Sequence, residues 1–231
     1  MLQTGKLFFS TVKTAIEHFG RLDIVVNNAG IMTLGMIEEL SEMEARKMMD
    51  TNFFWSPLGL PGGDAIFKAQ RSGHIIQITS IGAIISGPMS GIYSASKFAL
   101  EGMSEALAKE AEHFGVKLTM VEPGGYWTDL YLSMNYSNPL DSYGTLREEL
   151  AKQYSEGSAD SDPSLAAEAL MKLVDSDNPP LRLILGSMVY DLAMDALKKR
   201  MNAWEEWEAV SRASENAIPA PEGYRVTKEE E

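Results

Sequence analysis

The sequence predicts an α/β fold built on a doubly wound parallel sheet. Three observations carry that prediction. Short apolar runs rich in β-branched residues recur along the chain: LDIVV (22–26), HIIQI (74–78), VKLTMV (116–121) and LRLIL (181–185). A continuous apolar strand of this kind suits a parallel sheet covered on both faces. Amphipathic stretches of helical length separate the runs, and strands alternating with helices call for parallel connections. Finally, 231 residues, 45% of them hydrophobic, suit one domain with a sizeable core.

The elements follow in order. Residues 7–19 (LFFSTVKTAIEHF) place apolar side chains at helical spacing, with Gly20 as C-cap. The first strand, Leu22 to Val26, ends in Asn-Asn-Ala-Gly at 27–30. LSEMEARKMMDTNFF (40–54) reads as a helix with Ser41 as N-cap and Glu44 three residues later, a capping box. Between 53 and 73 the alternation asks for another helix. Pro57, Gly59, Pro61, Gly62 and Gly63 rule out a regular one there. GHIIQITSIGA (73–83) is the second strand and the loop beyond it, and residues 91–114 form a long amphipathic helix. VKLTMVEPGG (116–125) is the third strand, closed by Pro123, Gly124 and Gly125. Residues 126–162 read as irregular and polar, with short helical pieces. A helix over 162–176 has Pro163 just inside its start. A strand over 179–186 and a helix over 187–212 complete the chain before an acidic, solvated tail. With no internal repeat and no second domain, residues 1–231 read as a single domain.

Composition narrows the function. Thirty-three acidic residues against 20 basic ones give a formal charge of −13. Such a surface repels nucleic-acid phosphates and anionic lipid, and the one basic cluster is KKR at 198–200. No apolar run approaches the ~18–20 residues of a membrane span. The N-terminus lacks the apolar core and cleavage site of a signal peptide. The expectation is a soluble cytoplasmic protein with no nucleic-acid or membrane partner. The absence of cysteine excludes disulfides, thiol nucleophiles and thiolate metal sites. His18, His74 and His113 are scattered, so no metal is expected.

The chemistry-bearing stretch is YSASK (93–97) at the head of the long helix. Tyr93 and Lys97 stand four apart and share a helix face. A phenol titrates near pH ~10 and is a poor base at neutral pH. A neighbouring cation stabilises the phenolate, so the pair suits proton transfer. By itself this spacing is common on helix surfaces.

Its surroundings are more specific. NNAG (27–30), Asn52 in MDTNFF, ITSIGA (78–83), YSASK and EPGGYWT (122–128) stand in order on the expected elements. Ser80 lies thirteen positions before Tyr93. In these motifs, over roughly residues 7–212, the chain resembles the short-chain dehydrogenases/reductases. That resemblance implies a Rossmann-like sheet and an NAD(P)-dependent oxidoreductase. Hydride would pass between nicotinamide, on NADP or NAD, and a small-molecule carbonyl or secondary alcohol. It also implies roles for particular residues. Tyr93 is the general acid/base, and Lys97 lowers its pKa and holds the nicotinamide ribose. Ser80 polarises the substrate oxygen, and Asn52 holds a water that relays protons from Lys97. Asn28, Ala29 and Gly30 line the adenosine side of the cofactor. Pro123, Gly124 and Thr128 shape its nicotinamide end. Residues 129–160 form a substrate lid, while Met32, Tyr126, Trp127 and Tyr131 follow strand ends where a substrate pocket belongs. A homodimer or homotetramer is the family's habit.

The chain departs from the pattern at its start. The family's dinucleotide turn, Gly-rich and following the first strand, has no counterpart. GLPGG (59–63) follows no strand and opens no clear helix, so it is a false lead. The fourth-strand motif already stands at residue 27. Strands one to three are therefore expected to be missing, leaving the 22–26 strand as an exposed apolar edge. A rival expectation follows: an inactive, truncated family member acting as a binding or oligomerisation partner, or a fragment without function.

Overall fold

The structure, a computed structural model, describes residues 2–54, 63–155 and 160–216. Helix α1 (Leu2–Phe19) ends at Gly20, whose φ of +79° is the left-handed value that stops a helix. Strand β1 (Ile24–Asn27) follows, then the two-residue strand β2 (Thr33–Leu34). Helix α2 (Glu42–Met49) starts at the expected capping box: Ser41 accepts from the Glu44 amide and Glu44 accepts from the Ser41 amide. It runs straight into a single π-helical turn, Asp50–Phe54. The Pro- and Gly-rich stretch lies largely outside the described residues. Helix α3 (Gly63–Gln70) does begin at its last glycine, so the expectation that no helix opens there is corrected.

Strand β3 (Gly73–Ile78), helix α4 (Gly91–Glu112) and strand β4 (Val116–Pro123) follow as read from the sequence. The polar region resolves into α5 (Asp129–Ser133), β5 (Asn135–Tyr136) and α6 (Gly144–Ser155). Helix α7 (Pro163–Val174) carries Asp162 as N-cap and leads to β6 (Arg182–Leu185). The final helix is broken at Trp207 into α8 (Ser187–Glu206) and α9 (Glu208–Ala213).

The main sheet is wholly parallel, in the order β1-β3-β4-β6. Alternation along the strands sends neighbours to opposite faces. Ile75, Leu118 and Met120 pack with Phe67 of α3 and Ala111 of α4, whereas Ile76 and Val121 pack with Leu173 of α7. Both faces are covered, as a doubly wound sheet requires. Among the described residues β1 has one strand neighbour, β3, and Val26 is 46% exposed. The short strands β2 and β5 pair in parallel, a contact two-residue strands do not announce in sequence.

Parallel register brings the strand C-termini to one edge. Asn27 pairs with Gln77, Ile78 with Val121, and Pro123 with Leu185. Asn28–Gly30, Thr79–Ser80 and Gly124–Thr128 leave the sheet side by side, where ligands bind in open α/β folds.

Candidate active site

These strand ends surround a cavity of about 680 Å³. Its wall brings together Ser80, Tyr93 and Lys97 with Asn28, Ala29, Gly30, Pro123, Gly124 and Thr128. Asn28, Ala29, Gly30, Ser80 and Gly124 sit in the turns after β1, β3 and β4, Pro123 ends β4, and Tyr93 and Lys97 stand in the first two turns of α4. Thr128 occupies the N-cap position of α5 but makes no capping hydrogen bond, and it is exposed. Asn52 is not in the wall.

Ser80 is the second residue beyond β3 and is largely buried. Its hydroxyl accepts from the Gly82 amide at 3.0 Å, which fixes the rotamer. Tyr93 stands in the first turn of α4 and hydrogen-bonds the Ser80 side chain. Burial pushes the Tyr93 phenol above its ordinary value; the hydrogen bond with Ser80 pulls the other way and loses. Lys97 is 3% exposed and donates to the Ile78 carbonyl at 3.0 Å. Burial lowers it to about 8. Its ammonium lies 5.9 Å from the centre of the Tyr93 ring. Here the expectation of a depressed phenol pKa is corrected. The ammonium is near the ring, but burial is the largest influence on both groups, raising Tyr93 and lowering Lys97.

Asn52 is 1% exposed and fully engaged with neighbours. Its Oδ1 accepts from the Ile31 amide at 2.8 Å, and its Nδ2 donates to the Ile31 carbonyl at 2.9 Å and to Ser96 Oγ at 3.0 Å. Ser96 in turn donates to the Tyr93 carbonyl at 2.6 Å. The π-helical turn aims Asn52 inward, a recurrent use of such turns. One side chain thus ties the turn after β1 to the first turn of α4. A Cβ at Gly30 would stand 3.6 Å from both Asn52 Oδ1 and Lys97 Nζ, so a small residue there keeps the approach between them open.

Of the residues expected to line a substrate pocket, Tyr126 and Tyr131 do so; Met32 and Trp127 do not. Trp127 is 62% exposed and its ring lies 5.6 Å from that of Tyr131. Two features had no sequence signal. Ser161 joins the turn after β4 through paired backbone bonds, Ser161 N–H to Gly125 O (3.0 Å) and Trp127 N–H to Ser161 O (3.1 Å). Behind the strand ends, Thr79 Oγ1 lies 2.9 Å from the Glu101 carboxylate. The Arg182 Nε is 3.3 Å from Glu101 and 3.5 Å from Glu122.

The cavity's residues fit the nicotinamide–ribose end of a dinucleotide. Lys97 uses one of its donors on Ile78 and has others to offer, Gly30 leaves an open cradle beside it, and the wall is otherwise largely apolar.

Comparison with known proteins places this geometry. The family model for short chain dehydrogenase matches residues 6–137. Oxidoreductase BOA17 of Botryotinia fuckeliana is 35% identical over 212 residues, which cover 88% of this chain and 75% of that protein. A 3-ketodihydrosphingosine reductase of Bacteroides thetaiotaomicron is 35% identical over 185 residues, covering 77% of this chain and 68% of that one. A short-chain dehydrogenase structure from Streptomyces avermitilis superposes with a TM-score of 0.78 at 32% identity, covering 91% of this chain and 78% of the other. An alcohol dehydrogenase from Thermococcus sibiricus, complexed with 5-hydroxy-NADP, shares the fold at a TM-score of 0.62 and 23% identity, covering 78% and 69%. The order of motifs, their convergence on one sheet edge and the family match agree, and the chain belongs to the short-chain dehydrogenase family of oxidoreductases.

Proposed function

We propose that this protein is an NAD(P)-dependent oxidoreductase acting on a carbonyl or secondary alcohol, with Tyr93 handling the proton. The observation that carries the reading is the meeting of Ser80, Tyr93 and Lys97 on the wall of one cavity with Asn28–Gly30 and Pro123–Gly124. When bound, a nicotinamide would supply or accept the hydride.

The side chains divide the remaining work. Lys97 and the Asn28–Gly30 turn hold the ribose and the adenosine side of the cofactor. Pro123, Gly124 and Thr128 bound the nicotinamide end. Ser80 donates a hydrogen bond to the substrate oxygen, and Tyr93 passes a proton to that oxygen or takes one from it. With its pKa raised, Tyr93 rests as a neutral phenol, so it is poised as an acid for carbonyl reduction. Asn52 keeps the Tyr93 turn in register with the Gly30 turn.

Titration with NADPH and NADH, followed by fluorescence, tests the cofactor. Replacing Tyr93 with phenylalanine tests the mechanism: turnover falls by at least ~10²-fold with cofactor binding intact. A Tyr93→Phe protein that keeps full activity refutes the role. A second reading is a non-catalytic binding partner, to which the exposed Val26 of β1 would lend apolar surface. No binding at millimolar cofactor would favour that reading for this chain.

A further inference from the structure

Most of the cavity wall is apolar, contributed by residues such as Ile78, Val121, Leu130, Leu170 and Leu185. A substrate placed against Ser80 and Tyr93 also meets polar side chains from several parts of the wall. Tyr131 is one of them. It stands on α5, in the lid segment, and it lines the cavity. Its position is built rather than incidental. The paired backbone bonds between Ser161 and the Gly125–Trp127 turn bring Asp160 over Gly125. A Cβ at Gly125 would sit 1.6 Å from Asp160 Oδ1 and 3.1 Å from the Tyr131 hydroxyl. Only a glycine admits that pair. Trp127 packs against the Tyr131 ring from the solvent side of the lid, limiting its rotamers.

We propose that Tyr131, held by Asp160, is a substrate-recognition group that selects carbonyl or alcohol substrates bearing a second hydroxyl next to the reacting carbon. The proposal rests on the oxidoreductase reading above and adds the substrate class. The Tyr131 hydroxyl donates to the Asp160 carboxylate, and its oxygen lone pairs remain as acceptors towards the cavity. Burial first, then Asp160 and the nearby Tyr93, push Tyr131 up to about 12, so it stays a neutral phenol. Tyr93 and Tyr131 line the same cavity, so one small substrate can meet both phenols. A substrate hydroxyl there donates to Tyr131. A plain ketone leaves that acceptor without a donor, and sites built to hydrogen-bond a hydroxyl discriminate against analogues lacking it.

Binding of 2-hydroxy-1-phenylethanone and of acetophenone, measured by titration calorimetry, tests this without relying on turnover. The wild-type protein is expected to prefer the hydroxyketone by about tenfold, the worth of one hydrogen bond. Tyr131→Phe loses that preference while acetophenone binds as before. Asp160→Ala loses it too, and Asp160→Asn, which keeps an acceptor for the phenol, restores part of it. An absent preference in the wild type, no binding of either ketone, or an unchanged preference in Tyr131→Phe overturns the proposal. So does equal weakening of both ligands, which marks a packing role. Turnover of both ketones with NADPH and NADH is measured separately. Its absence, with the binding preference intact, overturns the oxidoreductase reading of this chain and leaves the subsite standing.

Discussion

Replacing Glu122 with glutamine should flatten the dependence of stability on pH. Glu122 is 1% exposed, on the β4 face that packs against α4, and its Oε1 has no hydrogen-bond partner. Three carboxylates, Glu101, Glu105 and Glu122, face the single guanidinium of Arg182 at 3.3, 3.0 and 3.5 Å. Glu105 is half exposed and also has Lys109 at 3.8 Å, so the buried pair Glu101 and Glu122 share the one guanidinium between them. Burial first, then the charge and hydrogen bond of Glu101, raise Glu122 from 4.5 to about 8, and Arg182 only partly offsets this. Because the folded value lies above the unfolded one, the neutral acid stabilises the fold fully below about pH 4.5. That stability is lost as pH rises towards 8. At ~1.4 kcal/mol per unit, a window of some three units corresponds to about 4 kcal/mol. A glutamine keeps the hydrogen bond to Glu101 and cannot ionise. Thermal melts of both proteins between pH 5 and 8.5 should diverge by roughly 8–16 °C across the range, with the variant more stable at the alkaline end. Histidine titrations are common to both proteins and cancel in the difference. Parallel curves would refute the reasoning.

Other perturbations probe separate contacts. Asn52→Ala strands the Ile31 amide and carbonyl and removes a donor from Ser96 Oγ, at a cost of about 2–4 kcal/mol; a melting temperature within a degree of wild type would contradict this. Glu39 accepts from the Met36 and Leu140 amides, from Ser137 and from Arg147. These bonds hold it at about 2 although burial opposes them. Glu39→Gln should loosen residues 137–147 and speed their cleavage in limited proteolysis, with no new transition between pH 5 and 8. Gly124→Ala puts a Cβ 2.7 Å from Val189 Cγ1 and should displace the turn after β4, lowering cofactor affinity measured by fluorescence titration.

The two histories of Tyr93 and Glu39 separate what is local from what is not. YSASK, its distance from Ser80 and the turns after β1 and β4 were all legible, because strand and helix periodicity is written in residues two to four apart. Parallel register then follows, and with it the gathering of those turns at one edge. What a side chain experiences there depends on residues far away in sequence. Tyr93 and Lys97 are neighbours on a helix, yet the sheet beneath them strips both of water, and desolvation decides their protonation. Glu39 meets Arg147 across 108 positions, and Tyr131 meets Asp160 over a glycine. Asn52 stood out in the sequence as a candidate, but not that a π-helical turn commits its amide to Ile31 and Ser96. The sequence by itself determined the sheet, the order of its motifs and the kind of chemistry they suit. The tertiary structure decided which groups are charged, which are tied down and which face the cavity, because desolvation and long-range pairing exist only once distant segments are packed together.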